Sequence, residues 1–243
     1  MSFGPKIERF RDMTVAEITA RGYSFPAGLV LSLMAQESGG QIGIVARVGA
    51  GDGSNASGLL QVIKATLDTY NASRPDIPWS RMSEKTIAAA RDQIAVGTWY
   101  LNRCWSNLDN WLVDHGESAS LADFARIADT AYAMGWGATK KKLNTMYDEA
   151  IPVSWDNLVL RFPNWGYSSS KERWINRPLK HAGEVWERYV AADASPGDPA
   201  EDEDDDITPA VPVDHGDRNA LDVGLVVLTV AVVGLAVYIV VRF

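Results

Sequence analysis

Apolar residues recur at helical spacing along most of the chain, and neither sustained strand alternation nor an internal repeat of fixed period interrupts them. Ser24-Phe25-Pro26 is a helix-start signal, a capping hydroxyl followed by a proline in the first turn. Val30, Leu33, Met34 and Glu37 then fall on one stripe, widened by Leu29, and Gly39-Gly40 ends the helix. A long helix is predicted over 83–105, capped by Ser83 and carrying Ile87, Ile94, Tyr100 and Leu101. Another is predicted over 120–137, with Leu121, Phe124, Ile127, Ala128 and Ala131 on one face and Gly135-Trp136-Gly137 at its end. Lys140-Lys141-Lys142 reads as the solvated face of a short helix. A last helix is predicted over 178–190, with Val185, Trp186 and Tyr189 inward. Residues 151–178 read as irregular and aromatic. Trp155, Phe162, Trp165, Tyr167 and Trp174 either pack a loop onto the core or stack on sugar rings.

One position in this pattern is out of character. Glu37 lies on the apolar stripe, in the last turn of its helix. Burial and the negative end of the helix dipole both disfavour the ionised carboxylate there, and a carboxyl kept protonated is what a general acid needs. A glutamate turned to solvent at a frayed helix end is the other reading of the same segment. Beyond it, residues 41–57 form a loop of glycines and small polar residues, including Gly49-Ala50-Gly51-Asp52-Gly53, which permits close backbone approach to a ligand. Gly58-Leu59-Leu60-Gln61 resumes the apolar pattern, and Arg74-Pro75-Asp76-Ile77-Pro78 breaks it.

Composition excludes several classes. One cysteine, Cys104, permits no internal disulfide and no zinc cluster. The scattered histidines His115, His181 and His215 read as surface or helix-end residues, so neither a metal nor a cofactor is expected. The net charge of -8 is local: eleven of the 31 acids but one of the 23 bases lie between Asp193 and Asp222, leaving 20 acids against 22 bases elsewhere. A near-neutral folded part lacks the basic surface that nucleic-acid binding favours. Residues 191–222, with Glu201 to Asp206 unbroken acids and several prolines, read as an extended linker. Residues 223–241 follow without a charge, nineteen positions rich in Val and Leu, and predict a C-terminal transmembrane helix. The first twenty residues are polar and hold no signal-peptide core.

Four motifs occur in order: Glu37-Ser38; Gly58-Leu59-Leu60-Gln61; Ile94, Gly97, Tyr100 and Leu101; and Ala131-Tyr132-Ala133-Met134-Gly135. Together, over about residues 20–190, they resemble the soluble lytic transglycosylases of the lysozyme superfamily. The resemblance implies a mainly α, lysozyme-like domain over 1–190, ahead of the acidic linker and the single transmembrane helix. It departs from the family pattern at Asp52, where a serine is common, at Lys64 for a proline and at Ala133 for an asparagine.

The resemblance also implies a reaction, cleavage of the bond between N-acetylmuramic acid and N-acetylglucosamine in peptidoglycan strands. Glu37 would act as acid on the glycosidic oxygen and then as base on the muramyl 6-hydroxyl, giving a 1,6-anhydro product. Ser38 would steady the site or cap its helix, Asp52 and Gln61 would contact substrate, and the Tyr132 hydroxyl would orient Glu37. A single carboxyl suits that scheme, because the usual glycosidase needs two. Two alternatives stand beside it: an inverting muramidase with Asp52 as base, and a non-enzymatic membrane-anchored adaptor. A C-terminal anchor with no leader suggests delivery from outside, by a bacteriophage particle that contains a membrane. There the lipid and other particle membrane proteins would be partners, and the enzyme would open the wall for genome entry.

Overall fold

The computed structural model describes residues 3–46, 56–74, 76–162 and 177–193, together with the backbone of 228–232 and 235–239. It falls into two units, Met1–Ala210 and Val211–Phe243. In the first unit, the described regular structure is helical.

The polar N-terminus folds into α1 (Pro5–Glu8) and α2 (Arg11–Arg21), and Ile7, Ile18 and the intervening Phe10 anchor it in the core. The central helix is α3 (Ala27–Glu37). Leu29, Val30, Leu31, Leu33 and Met34 are all buried, so this helix is enclosed on more sides than its apolar stripe alone requires. It ends as expected, with Glu37 the last helical residue and Ser38 at the C-cap. After α4 (Lys64–Asn71) and a 3-10 turn at Trp79–Met82 comes the longest helix, α5 (Ile87–His115). Its cap is Thr86, whose hydroxyl accepts from the Ala89 amide at 3.1 Å, and not Ser83, which closes the preceding turn. The helix also runs ten residues beyond the predicted end at 105, because Leu108, Trp111 and Leu112 continue its buried face.

Next come α6 (Leu121–Met134), capped by Ser120, and α7 (Trp136–Asp148), which carries the three lysines. The region expected to be irregular contains α8 (Trp155–Arg161). Ser154 caps it, and Trp155 and Leu158 are buried against the core. Of the aromatics noted there, Trp165, Tyr167 and Trp174 lie outside the described residues. The last helix of the unit is α9 (Arg177–Asp193), packed between α3 and α6.

The motif spacing has a packing reason. Gly97 on α5 lies directly under Leu60, and a Cβ on Gly97 would come within 2.3 Å of the leucine Cδ1. Only glycine lets the Gly58–Gln61 turn seat itself on that helix.

In the second unit, Leu228–Val232 (β1) pairs antiparallel with Leu235–Ile239 (β2), Leu228 opposite Ile239 and Val232 opposite Leu235. The helix predicted over 223–241 overlaps this pair, and the rest of that span lies outside the described residues. The prediction weighed apolar length, whereas a segment so rich in β-branched valine also has high strand propensity. Five-residue strands are shorter than a membrane-crossing strand needs, and no helix of the described residues is long and apolar enough to cross a bilayer.

Candidate active site

The site is built where α3 ends. Ser38, buried, donates to the Met34 carbonyl at 3.1 Å and accepts from the Gly40 amide at 3.1 Å. Its hydroxyl therefore caps the helix, one of the two roles open to it from sequence. Glu37, one residue earlier, keeps 20% of its side-chain surface exposed, so it is neither sealed in the core nor turned fully to solvent.

The turn after the glycine-rich loop is drawn in by backbone pairing. The Gly58 amide donates to the Ile44 carbonyl, and Ser57 and Val62 exchange hydrogen bonds. The base of the loop is closed by the Ala46 amide on the Ala56 carbonyl at 2.8 Å. Asp52 belongs to that loop and lies outside the described residues. Gln61 sits at φ 45°, a left-handed conformation uncommon for a residue other than glycine. Its amide nitrogen donates to the Ile44 and Gly58 carbonyls at 3.1 and 2.9 Å. The structure thus places the Gln61 amide as a brace for the turn.

Behind the turn stands Gln93, 1% exposed, which sequence reading did not single out. Its carbonyl oxygen accepts from the Leu59 and Gly43 amides, and its nitrogen donates to the Arg81 and Glu84 carbonyls. Four backbone groups from three segments meet on one side chain. A Cβ on Gly58, at φ +82°, would press within 2.8 Å of it.

Tyr132 comes from α6. Its hydroxyl donates to the Leu60 carbonyl at 2.6 Å and not to Glu37, so it fastens α6 to the turn. Burial first, and then the neighbouring negative charge of Glu37, push its ionisation well above the usual phenol range. It remains a neutral donor beside the carboxylate. The Tyr100 ring packs against it at a tilt of 53°, with ring centroids 5.1 Å apart.

The partner of Glu37 is a residue expected to be ordinary. His181, on α9, presents Nε2 to Glu37 Oε1 at 3.1 Å and Nδ1 to Asp129 Oδ2 at 2.9 Å. The second contact is a formed hydrogen bond. The first lies off the N–H direction and is an ion pair in character, which leaves Nε2 without an aligned hydrogen-bond acceptor. Asp129 is 2% exposed and His181 12%. Burial works against charge on the imidazole, but Asp129 and then Glu37 outweigh it and raise the His181 pKa to about 10. At neutral pH it is an imidazolium held between the carboxyl groups of Glu37 and Asp129. The desolvated acid expected at Glu37 is therefore replaced by a half-buried carboxyl facing a cation.

The sequence held one signal for this. Asp129 interrupts the apolar Ile127-Ala128 and Ala131 stretch of α6, and a buried acid needs a partner. Nothing in the local sequence says that the partner lies 52 residues on. Among the described residues, no group of three or more His, Cys, Asp or Glu side chains is arranged to hold a metal.

The site thus joins Glu37, Tyr132, the Leu60–Gln61 turn and His181, with Ser38 and Gln93 as structural supports. No curated protein matches the chain. The Transglycosylase SLT domain family matches residues 15–153, a span that contains Glu37, the turn, the α5 motif and Tyr132 and ends before α9. On that match, over more than half of its length, the chain belongs to the transglycosylase SLT domain family, whose members are lytic transglycosylases acting on peptidoglycan.

Proposed function

We propose that this chain cleaves the bond between N-acetylmuramic acid and N-acetylglucosamine with Glu37 as its one catalytic carboxyl, leaving a 1,6-anhydromuramic end. The observation that carries this is Glu37 itself, at the end of a buried helix and part exposed between His181 and Tyr132. Glu37 gives its proton to the glycosidic oxygen as the bond to the anomeric carbon breaks. It then takes a proton from the muramyl 6-hydroxyl as that oxygen closes onto the same carbon. Asp129, the other carboxylate of the cluster, is buried and committed to His181, so it does not supply the second, water-activating base of an inverting glycosidase.

Mass spectrometry of digested peptidoglycan tests the reaction. The expected products end in anhydromuramic acid, and Glu37→Gln lowers their rate by roughly 10²- to 10⁴-fold, as loss of a general acid–base does. Reducing-end muramic acid without anhydro product would instead mark a hydrolase, with Asp52 the residue to examine. Unchanged wall digestion by Glu37→Gln would leave the adaptor reading.

The same proposal assigns a place of action. The uncharged segment 223–241 seeks lipid, and the acidic stretch before it serves as a leash. The enzyme rides in a membrane-containing phage particle, beside other membrane proteins of that particle, and opens the wall for genome entry. Protease-treated, purified particles should retain the chain; its presence only in late lysates would assign it to lysis.

A further inference from the structure

The residues matched by the family end at Val153, yet the ion-pair partner of Glu37 comes from α9, beyond that boundary. This helix is not loosely laid on. Ser32 of α3 donates to the Val185 carbonyl, Gln36 donates to Glu184 at 2.7 Å, and Arg188 donates to the Gln36 carbonyl oxygen at 2.9 Å. Gly28 leaves room for the Tyr189 ring, which a Cβ there would meet at 3.0 Å. These ties set the register of α9 along α3, and that register brings His181 level with Glu37.

We propose that His181, clamped by Asp129, is the positioning residue for Glu37 in the reaction. The inference rests on the proposed role of Glu37 as acid and base. His181 contacts one carboxyl oxygen, Oε1, which leaves Oε2 to meet the sugar. As an imidazolium it stabilises Glu37 in the state the cycle passes through, ionised after the first proton has gone and before the second is taken. Asp129 does two things from α6: it fixes the ring through Nδ1 and it offsets the cost of burying the charge. A neutral imidazole would meet only half of this need.

The other groups facing the cluster do not compete for the proton. From α5, burial holds the Tyr100 hydroxyl and the Cys104 thiol at about 12. From α6, Tyr132 is neutral and bonded to Leu60. On α9 itself, Lys180 and Glu184 pair with each other at 3.5 Å.

The test uses the full chain in detergent with peptidoglycan as substrate. His181→Gln, which removes the charge and keeps an amide donor, is expected to lower kcat by about ten- to a hundredfold with KM little changed. The alkaline limb of the wild-type pH–rate profile, where His181 itself gives up its proton, is expected to be missing from this variant. Asp129→Asn keeps that limb and brings it to lower pH, because the imidazolium loses one of its two carboxyl neighbours. Melting temperatures show whether each variant folds. Where His181→Gln does not, ¹⁵N spectra of the wild-type histidines carry the test, and His181 is expected to be doubly protonated at pH 8. A neutral His181 at that pH overturns the proposal. So does a folded His181→Gln whose pH profile stays in place, whether KM alone rises or kcat is unchanged, and α9 is then a structural tie only. Failure of the underlying reading is separate and visible in Glu37→Gln: if that variant still digests the wall, Glu37 is not the acid, whatever His181 does.

Discussion

Two polar clusters lie on either side of the Gly58–Gln61 turn, and they are built on opposite principles. Around Gln93 and Gln61 every contact joins a neutral amide to a backbone group, and the Gln93 side chain alone receives two amides and serves two carbonyls. Around His181 two carboxylates face one cation, and one of those contacts is not aligned as a hydrogen bond. Neutral amides that satisfy one another hold a shape and are indifferent to pH. Buried charges balance only in one protonation state and respond to whatever changes it. The first cluster positions the Gly58–Gln61 turn. The second keeps an ionisable group poised next to it.

The largest structural effect should come from breaking the neutral cluster. Gln93→Ala strands four backbone groups, two in buried and two in part-buried hydrogen bonds, and at roughly 1 kcal/mol for each it is expected to cost about 4 kcal/mol of stability, read by denaturant unfolding. A loss under about 1 kcal/mol would mean that water or a shift of the turn replaces Gln93, and the contrast between the clusters would weaken.

The charged cluster should reveal itself by pH instead. The His181 pKa stands at about 10 in the folded chain against 6.5 for a free histidine, so the folded state holds the extra proton between those values. Its contribution to stability is complete below pH 6.5 and is lost as pH rises through 10. Melting temperature is expected to fall over that window, with a slope of at most about 1.4 kcal/mol per pH unit from this one group. His181→Gln should flatten that slope, and Gln93→Ala should leave it as it is. An unchanged slope in His181→Gln would break the comparison.

The smallest effect is expected where the clusters meet. Tyr132→Phe removes one hydrogen bond to the Leu60 carbonyl and should cost about 1 kcal/mol of stability. Its loss of activity should be well short of that in Glu37→Gln, measured on the same peptidoglycan. An equal loss would give the hydroxyl a direct part in the chemistry.

Local pattern made much of this legible before any coordinates. The buried stripe of α3, its stop after Glu37 and the helix of α6 all rest on periodicity and on breakers within one element. Three features came out differently from the local pattern. Thr86 replaces Ser83 as a cap, α8 occupies a stretch read as irregular, and Tyr132 turns its hydroxyl to Leu60. For α8 and for Tyr132 a contact with another part of the chain, the core around Trp155 and Leu158 and the Leu60 carbonyl, chose between local outcomes.

By itself, then, the sequence determined that the first domain is helical, that Glu37 ends its central helix and that the turn and Tyr132 belong to the same motif set. Those features follow from periodicity and backbone geometry, which are written locally. Only the tertiary structure decided that His181 faces Glu37. That contact depends on where α9 docks, through Ser32, Gln36 and Tyr189, and on Asp129 being buried where it can hold the imidazole. Charge meets charge there across more than a hundred residues of chain, a pairing that no local pattern encodes.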